Sequence, residues 1–512
     1  MPRDYLTEFL PDLEEFRQKT IQFHNGQLTA AQYKSFSGGF GSYAQRGGQK
    51  HMLRLRMAGG RLTRERLGFV IDSCEKYGID WLKITTCQSL QLHDLSPDIL
   101  CGLMEEAWRA GMISRGGGGD FPRNVMASPL SGVQKDELFD VMPYAEAAGE
   151  YLMNFIKSVR FPRKLKVCFS NSPSNVTHAT FRDLGFVAKP DRTFDVYAAG
   201  GLGVKPLLGI CVAGKVPPED IFCHIKAMID TFVTYGNYEN RGKSRSRFLQ
   251  ETLGADRLVS AYQDKLDKAL KTELKLKIQE KTVNKQGAGQ APFDRRLLPQ
   301  KQEGLYSVFY QPPGGCLSFQ KALRLYQLTK SMDDVEIRLT PGEGLYVINC
   351  DAREACLLLE ETADGAGTLF ETSVACIGAG ICQVGIGDSQ ALLNSCIQAV
   401  RQENFPDGTL PRIHISGCPS SCSAHQSAAL GFRGGMKQTP DGPKSAFAVF
   451  EGGCSHQGRE ILAETGKSIL TELIPDFLVE LGKMVLSQNT TYDKWILTHH
   501  RQLRELIDKY AA

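Results

Sequence analysis

The chain carries two copies of one pattern, so any fold that serves the first copy must also serve the second. Residues 53–95 read LRLRMAGGRLTRERLGFVIDSCEKYGIDWLKITTCQSLQLHDL, and residues 306–350 read YSVFYQPPGGCLSFQKALRLYQLTKSMDDVEIRLTPGEGLYVINC. Each runs strand, Gly-Gly turn, hydroxyl cap, helix, strand, turn, strand. Gly59-Gly60 aligns with Gly314-Gly315, Thr63 with Ser318, and Ile84-Thr85 with Leu339-Thr340, with no gap between. Thr63 and Ser318 are expected N-caps, because a hydroxyl there accepts an orphan N–H of the first helical turn. Leu67, Val70, Ile71 and Cys74 recur at i, i+3, i+4 and i+7 and would bury one helix face. Leu325 and Tyr326 hold the places of Val70 and Ile71.

Between the copies, KIQEKTVNKQGAGQAPFDRRLLPQKQEG is polar and without periodicity, and it reads as a linker joining two similar halves. Each half continues into a longer α/β segment. KLKVCFS and FDVYAAGGLG read as strands and PEDIFCHIKAMIDTFVTYG as a helix in the first. RIHISG and SAFAVFEGG are strands in the second, which ends in the helical IPDFLVELGKMVLSQ and YDKWILTHHRQLRELIDKY. The expected class is α/β (α+β), internally duplicated, with a site between two pseudo-twofold-related halves. The expected units are an N-terminal extension over 1–35, small repeats over 36–105 and 303–365, larger α/β units over 106–275 and 366–512, and the linker over 276–302.

Bulk properties exclude several classes. A net charge of +3 from 60 basic and 57 acidic residues does not suit a nucleic-acid binder. No apolar run approaches the roughly 20 residues of a membrane span. The acidic, amphipathic start MPRDYLTEFLPDLEEF is unlike a signal peptide, so a cytoplasmic location with reduced thiols is expected. Of 15 cysteines, Cys74, Cys101, Cys168, Cys211, Cys223 and Cys396 are isolated among apolar residues and are expected to be buried small hydrophobes. The turn AAGGLG lacks G-x-G-x-x-G spacing, which argues against a dinucleotide fold; EGGCSHQG is its expected counterpart in the second half. Structural roles are expected for Cys454, His456 and His425.

Four cysteines stand apart. Cys376 and Cys382 lie in ACIGAGIC, and Cys418 and Cys422 in SGCPSSC. Each pair sits on a short segment bent by glycine or proline, spaced to reach one metal centre. C-x2-C zinc-ribbon spacing is absent. Spacing alone leaves an iron–sulfur cluster, structural zinc and a group of core cysteines open.

C-x5-C followed by GCPxxC in a duplicated chain resembles the sulfite and nitrite reductases that carry sirohaem coupled to a 4Fe-4S cluster. The resemblance spans about residue 36 to about residue 460. It implies that the small repeats are ferredoxin-like and that the larger units bind sirohaem. It implies that all four cysteines bind the cluster and that Cys422 also bridges to the sirohaem iron as axial ligand. Arg54, Arg123, Lys164 and Lys166 become the cations of the substrate pocket. Arg54 and Arg56 alternate on one strand, as do Lys164 and Lys166, so each pair shares a face. In KITTCQSLQLHD, Thr85, Gln91 and His93 match polar cofactor-binding positions, and Lys83 and Cys87 stand where arginines are common. Cys87 therefore removes one expected contact to a cofactor carboxylate. Arg46, or Arg241, Lys243 or Arg245 in NRGKSRSR, is expected to compensate, and Arg56 is a further expected cofactor-binding residue.

The implied reaction is a six-electron reduction of sulfite to sulfide, or of nitrite to ammonia. Lys166 completes the Lys-x-Lys of the sulfite-type enzymes, and the sequence reading favours sulfite on that ground. No flavin or NAD(P)H segment is visible, so a ferredoxin, or a separate flavoprotein subunit, is expected to deliver electrons to a basic patch near the cluster. A cobalamin-pathway relative is a weaker alternative, because all four pocket cations are retained. From a different class, a structural-zinc module without catalysis also fits the cysteines.

Overall fold

The computed structural model describes residues 5–272, 275–278 and 283–512, and it places each repeat copy in its own antiparallel sheet. The first sheet runs Ser42–Ala44, His51–Leu55, Leu90–Leu95, Trp81–Ile84 in spatial order. The second runs Leu297–Pro299, Tyr306–Tyr310, Leu345–Cys350, Glu336–Leu339. These strands correspond without insertion or deletion from Ser42 through Leu95 and from Leu297 through Cys350.

Each sheet is completed by a strand from the other half. Cys316–Ser318 pairs antiparallel with Trp81–Ile84, Cys316 opposite Lys83; Arg61–Leu62 pairs with Glu336–Leu339, Arg61 opposite Arg338. The exchanged strands leave directly from the Gly-Gly turns. All four glycines lie at positive φ, between +56° and +72°. A Cβ on Gly60 would stand 2.5 Å from the Leu339 carbonyl oxygen, and one on Gly315 would stand 3.0 Å from that of Ile84. Leu339 and Ile84 are themselves repeat mates, so glycine is required twice for the same reason: backbone crosses backbone there.

Thr63 Oγ1 accepts from the Arg66 N–H at 3.4 Å and Ser318 Oγ from Lys321 at 3.2 Å, starting helices Arg64–Tyr77 and Phe319–Thr329. Leu67, Val70, Ile71 and Cys74 are all buried. Burial of each of the three aliphatic side chains is worth about 1.5–3 kcal/mol. The two sheets share one core, in which Leu53, Leu82 and Leu92 pack with Val308, Ile337 and Val347.

The larger units also repeat one topology. Val167–Ser170 pairs parallel with Leu184–Ala188, followed antiparallel by Phe194–Ala198 and Ile210–Val216. In the second half, Ile413–Ser416 pairs parallel with Leu430–Thr439, then antiparallel follow Gly442–Glu451 and Glu464–Leu470. Val374–Ala375 adds a further parallel strand beside Ile413–Ser416, and the bridge between Met126 and Cys168 takes its place in the first half. The bridges Gly201–Leu207 and Cys454–Ile461 make AAGGLG and EGGCSHQG counterparts. Helices Ile221–Tyr235, Ile474–Ser487 and Tyr492–Tyr510 form where the apolar periodicity places them. No helix among the described residues is long and apolar enough to cross a membrane.

Two expectations need correction. Part of the expected linker is structural: Leu297–Pro299 forms the edge strand equivalent to Ser42–Ala44, and Lys285 and Arg295 ion-pair with Glu354 and Asp407. An edge strand buries little, so its sequence reads as polar connection; residues 279–282 of that stretch lie outside the described residues. Cys211 is exposed, because Ile210–Val216 is the outer strand of its sheet.

Gly60→Ala should destabilise the chain by about 2 kcal/mol or more, since it adds a left-handed backbone cost to a clash with a fixed carbonyl. Urea unfolding of the variant beside the parent measures this.

Candidate functional site

Cys376 follows the strand Val374–Ala375, and Cys418 follows the parallel strand Ile413–Ser416 beside it, so both loops leave the same end of one sheet. The loops are stitched together. The Gly417 N–H donates to Cys376 Sγ at 3.2 Å, and the Gly417 carbonyl accepts from Ile386 and Gly387 at 2.8 and 2.9 Å. Cys382 is fixed through its N–H to the Gly378 carbonyl at 2.8 Å, with Gly378 at φ +69°. Burial raises the pKa of the Cys422 thiol, the charges of Cys376 and Cys418 raise it further, and Lys164 and Lys166 oppose them. Among the described residues, no three His, Cys, Asp or Glu side chains converge on a point that would hold a single ion. Four thiols on two stitched loops are a donor set that suits an iron–sulfur cube, which takes one thiolate at each iron.

Cys422 is accessible and lines a cavity between the two halves. Lys164, Lys166, Arg182 and Arg245 line the same cavity, with Thr86, His178 and His414. Burial, then Arg245, Lys166 and Arg123, hold the Lys164 ammonium well below the usual lysine range. Burial also lowers Lys166, against the pull of Cys87 and with the help of Arg182. The buried carboxylate here is Asp183, and it is spoken for: it accepts from Arg245 at 3.1 Å, from the Lys166 N–H at 2.9 Å and from the Ser246 hydroxyl. Among the described residues, Lys164, Lys166 and Arg182 have no carboxylate within ion-pair distance. Nε of Arg123 and Arg245 and Nδ1 of His178 are buried without partners. Cations held this way in a low-dielectric wall need anions. The donor set suits a carboxylate-bearing macrocycle that takes a thiolate ligand.

The other expected residues divide. Arg54 and Arg123 stand behind the lysines and grip one glycine loop: Arg54 donates to the Gly117 carbonyl at 2.7 Å, and Arg123 to Gly117 at 2.8 Å and Gly119 at 2.9 Å. That loop demands glycine, because a Cβ on Gly118 would stand 2.4 Å from the Gly38 carbonyl oxygen. Gln91, with its amide oxygen turned to Arg54, accepts from Arg54 Nε at 3.0 Å and donates to His93 Nε2 at 3.2 Å; His93 stacks on Trp81. Gln91 and His93 thus orient Arg54 from inside the sheet and do not line the cavity.

Arg56 is consumed by the carbonyls of Arg115, Pro122 and Arg123 at 2.7, 3.2 and 3.1 Å, which makes it a structural tie. Thr85 caps its own turn, accepting from Ser89 at 3.1 Å, while its neighbour Thr86 faces the cavity and donates to the Cys422 carbonyl at 2.7 Å. Arg241 and Lys243 are exposed and pair with Asp120 and Glu251, outside the cavity. Arg46 braces the cluster loop, donating to the carbonyls of Cys382 and Gly385 at 3.2 and 2.7 Å. His425 is buried edge-on against Phe450.

Arg182, Thr86, His178 and His414 were not anticipated. Arg182 explains how the chain tolerates Cys87, because it brings a guanidinium to the same neighbourhood from the bend before Leu184–Ala188. Burial alone would push the Cys87 thiol up; Lys166, Arg182 and Arg54 overturn that and hold it at about 6. Alkylation of Cys87, followed by peptide mass spectrometry, should therefore rise through about pH 6 and level off near neutrality. An ordinary thiol, with a pKa of about 8.5, continues to gain above that pH.

Comparison with known proteins agrees with this geometry. A model of the nitrite and sulphite reductase 4Fe-4S domain matches residues 118–270, and one of the nitrite/sulfite reductase ferredoxin-like half domain matches residues 43–107. Both lie in the first half; the duplicate carries the four cysteines. The chain is 27% identical over 453 residues to the chloroplastic ferredoxin–nitrite reductase of Arabidopsis thaliana, covering 83% of this chain and 75% of that protein. It is 24% identical over 498 residues to the assimilatory ferredoxin-dependent nitrite reductase of Haloferax mediterranei, covering 89% and 84%. The fold matches that of the Mycobacterium tuberculosis NirA protein with a TM-score of 0.76 at 20% identity, over 95% of both chains. With its duplicated sheets, paired cysteine loops and cationic cavity, the chain is similar in sequence and fold to the nitrite and sulfite reductases, the oxidoreductase family whose prosthetic groups are sirohaem and a 4Fe-4S cluster.

Proposed function

We propose that this protein reduces nitrite to ammonia with electrons from a ferredoxin. The observation that carries the reading is the cavity in which Lys164, Lys166, Arg182 and Arg245 face the Cys422 thiol. Support for nitrite comes from the relatives, which are named ferredoxin-dependent nitrite reductases. The preference for sulfite expected from Lys166 has no such support.

Cys376, Cys382, Cys418 and Cys422 would hold the cluster, and Cys422 would also reach the sirohaem iron. Bound together, these groups would relay to the anion the six electrons that the ferredoxin delivers. The protein's own residues do the rest. Lys164 and Lys166 hold the anion by charge-assisted hydrogen bonds, with the Arg123 charge behind them. Arg182 and Arg245 neutralise cofactor carboxylates. A lysine ammonium whose pKa is pulled down gives up a proton more readily, so Lys164 suits proton delivery as each oxygen leaves as water. Thr86 fixes the Cys422 backbone from the first half.

Sulfite remains the second reading because Lys166 adds a positive charge for a more highly charged anion. Steady-state kinetics with each anion and reduced ferredoxin decides between them; a higher kcat/KM for sulfite would reverse the assignment. Lys166→Asn should lower kcat/KM for sulfite about 10- to 100-fold, the loss of one charged hydrogen bond worth about 1.5–3 kcal/mol, and shift the rate ratio further toward nitrite. Cys422→Ser should abolish the coupled visible and EPR spectra; unchanged bands and turnover would remove Cys422 from the site.

A further inference from the structure

Lys83 and Glu343 come from different halves and meet in the interior. Lys83 Nζ lies 2.9 Å from Glu343 Oε1, with the side chains 3% and 2% exposed. Both hold the residue before Cys376: Glu343 accepts from the Ala375 N–H at 3.0 Å, and Lys83 donates to the Ala375 carbonyl at 3.1 Å. Lys83 also donates to the Gly314 carbonyl. Gln390 closes the arrangement, donating to the carbonyls of Ala375 and Cys376 at 2.7 and 3.1 Å.

The repeat supplies an internal control. Gln88 occupies the place of Glu343 in the first half, and both stand at positive φ, +54° and +66°. Gln88 Oε1 accepts from the Ala127 N–H at 3.0 Å, and its Nε2 donates to the carbonyls of Ala127 and Gly59 at 2.9 and 3.1 Å. Ala127 and Gly59 are the counterparts of Ala375 and Gly314. One neutral amide therefore satisfies this architecture where Ser128 follows, and a charged pair is used where Cys376 follows. A buried ion pair brings little stability over neutral replacements, so holding the backbone does not by itself call for charge.

We propose that Lys83 and Glu343 form a buried ionic latch that positions Cys376 and sets the local field at that corner of the metal centre. They are positioning residues, acting through the Ala375–Cys376 backbone. The proposal rests on the reading of Cys376 as a cluster ligand.

The test is an EPR-monitored redox titration of the cluster in the full-length holoenzyme. Glu343→Gln removes a negative charge and should raise the midpoint potential; Lys83→Met removes a positive charge and should lower it. Each shift should change the reduced-to-oxidised ratio at fixed applied potential about tenfold, which is about 59 mV for a one-electron couple. Glu354→Gln, at the Lys285–Glu354 pair, should leave the potential in place. Ratios within twofold of the parent in Glu343→Gln and Lys83→Met would overturn the latch. If Lys83→Met does not fold, Glu343→Gln decides alone, because it keeps the size and the acceptor for Ala375. Cys376→Ser separates the two readings. Loss of cluster iron there, with an unshifted Glu343→Gln, overturns only the latch. A full cluster signal in Cys376→Ser overturns the ligand assignment and the latch with it.

Discussion

Two short strands, each lent to the other half's sheet, fix everything else in this molecule. Because Cys316–Ser318 pairs with Trp81–Ile84 and Arg61–Leu62 with Glu336–Leu339, neither half can slide or tilt against the other without breaking ladder hydrogen bonds. The crossing brings backbones close enough that only glycine fits at the turns. It also merges the apolar faces of both sheets into one core, so registry between the halves is held by packing as well as by pairing. The site inherits that precision.

The two halves share one topology but differ in the residues they place at corresponding positions. Aligned through their parallel strands, Lys164 and Lys166 of the first half correspond to Leu410 and Arg412 of the second. Arg412 is spent on the carbonyls of Thr372 and Gly342. Conversely, Cys418 and Cys422 correspond to Ser172 and Val176. One half furnishes cations and the other thiols, and Cys422 of the second half joins Lys164, Lys166, Arg182 and Arg245 of the first at a common cavity.

Much of this was legible in the sequence because it is local. Caps at Thr63 and Ser318, the buried stripe of Arg64–Tyr77 and the glycine turns depend on neighbours a few residues away. The four cysteines were legible because their spacing is unusual, and Lys164 and Lys166 because strand alternation puts them on one face. Alternation gives a face but not a destination: Arg56 shares the face of Arg54 and ends on backbone carbonyls. Thr85 and Thr86 are adjacent and polar, and only the three-dimensional turn shows that Thr86 is the one facing Cys422. Arg182 carried a signal that went unused, since FRDLGFVA aligns with SAALGFRG and places an arginine at the mouth of the cavity. The strand Leu297–Pro299 was hidden by its polar surroundings.

The crowd of half-buried like charges has a consequence for selectivity. A wall that holds Lys164, Lys166 and Arg182 without carboxylate partners lowers the free energy of almost any small negative ion admitted to it. Capture is thus generic, and discrimination has to come from shape: how many oxygens reach a donor, and at what angle. A molecule built this way treats common buffer anions as rivals of its substrate, and refining its choice means moving donors rather than adding charge.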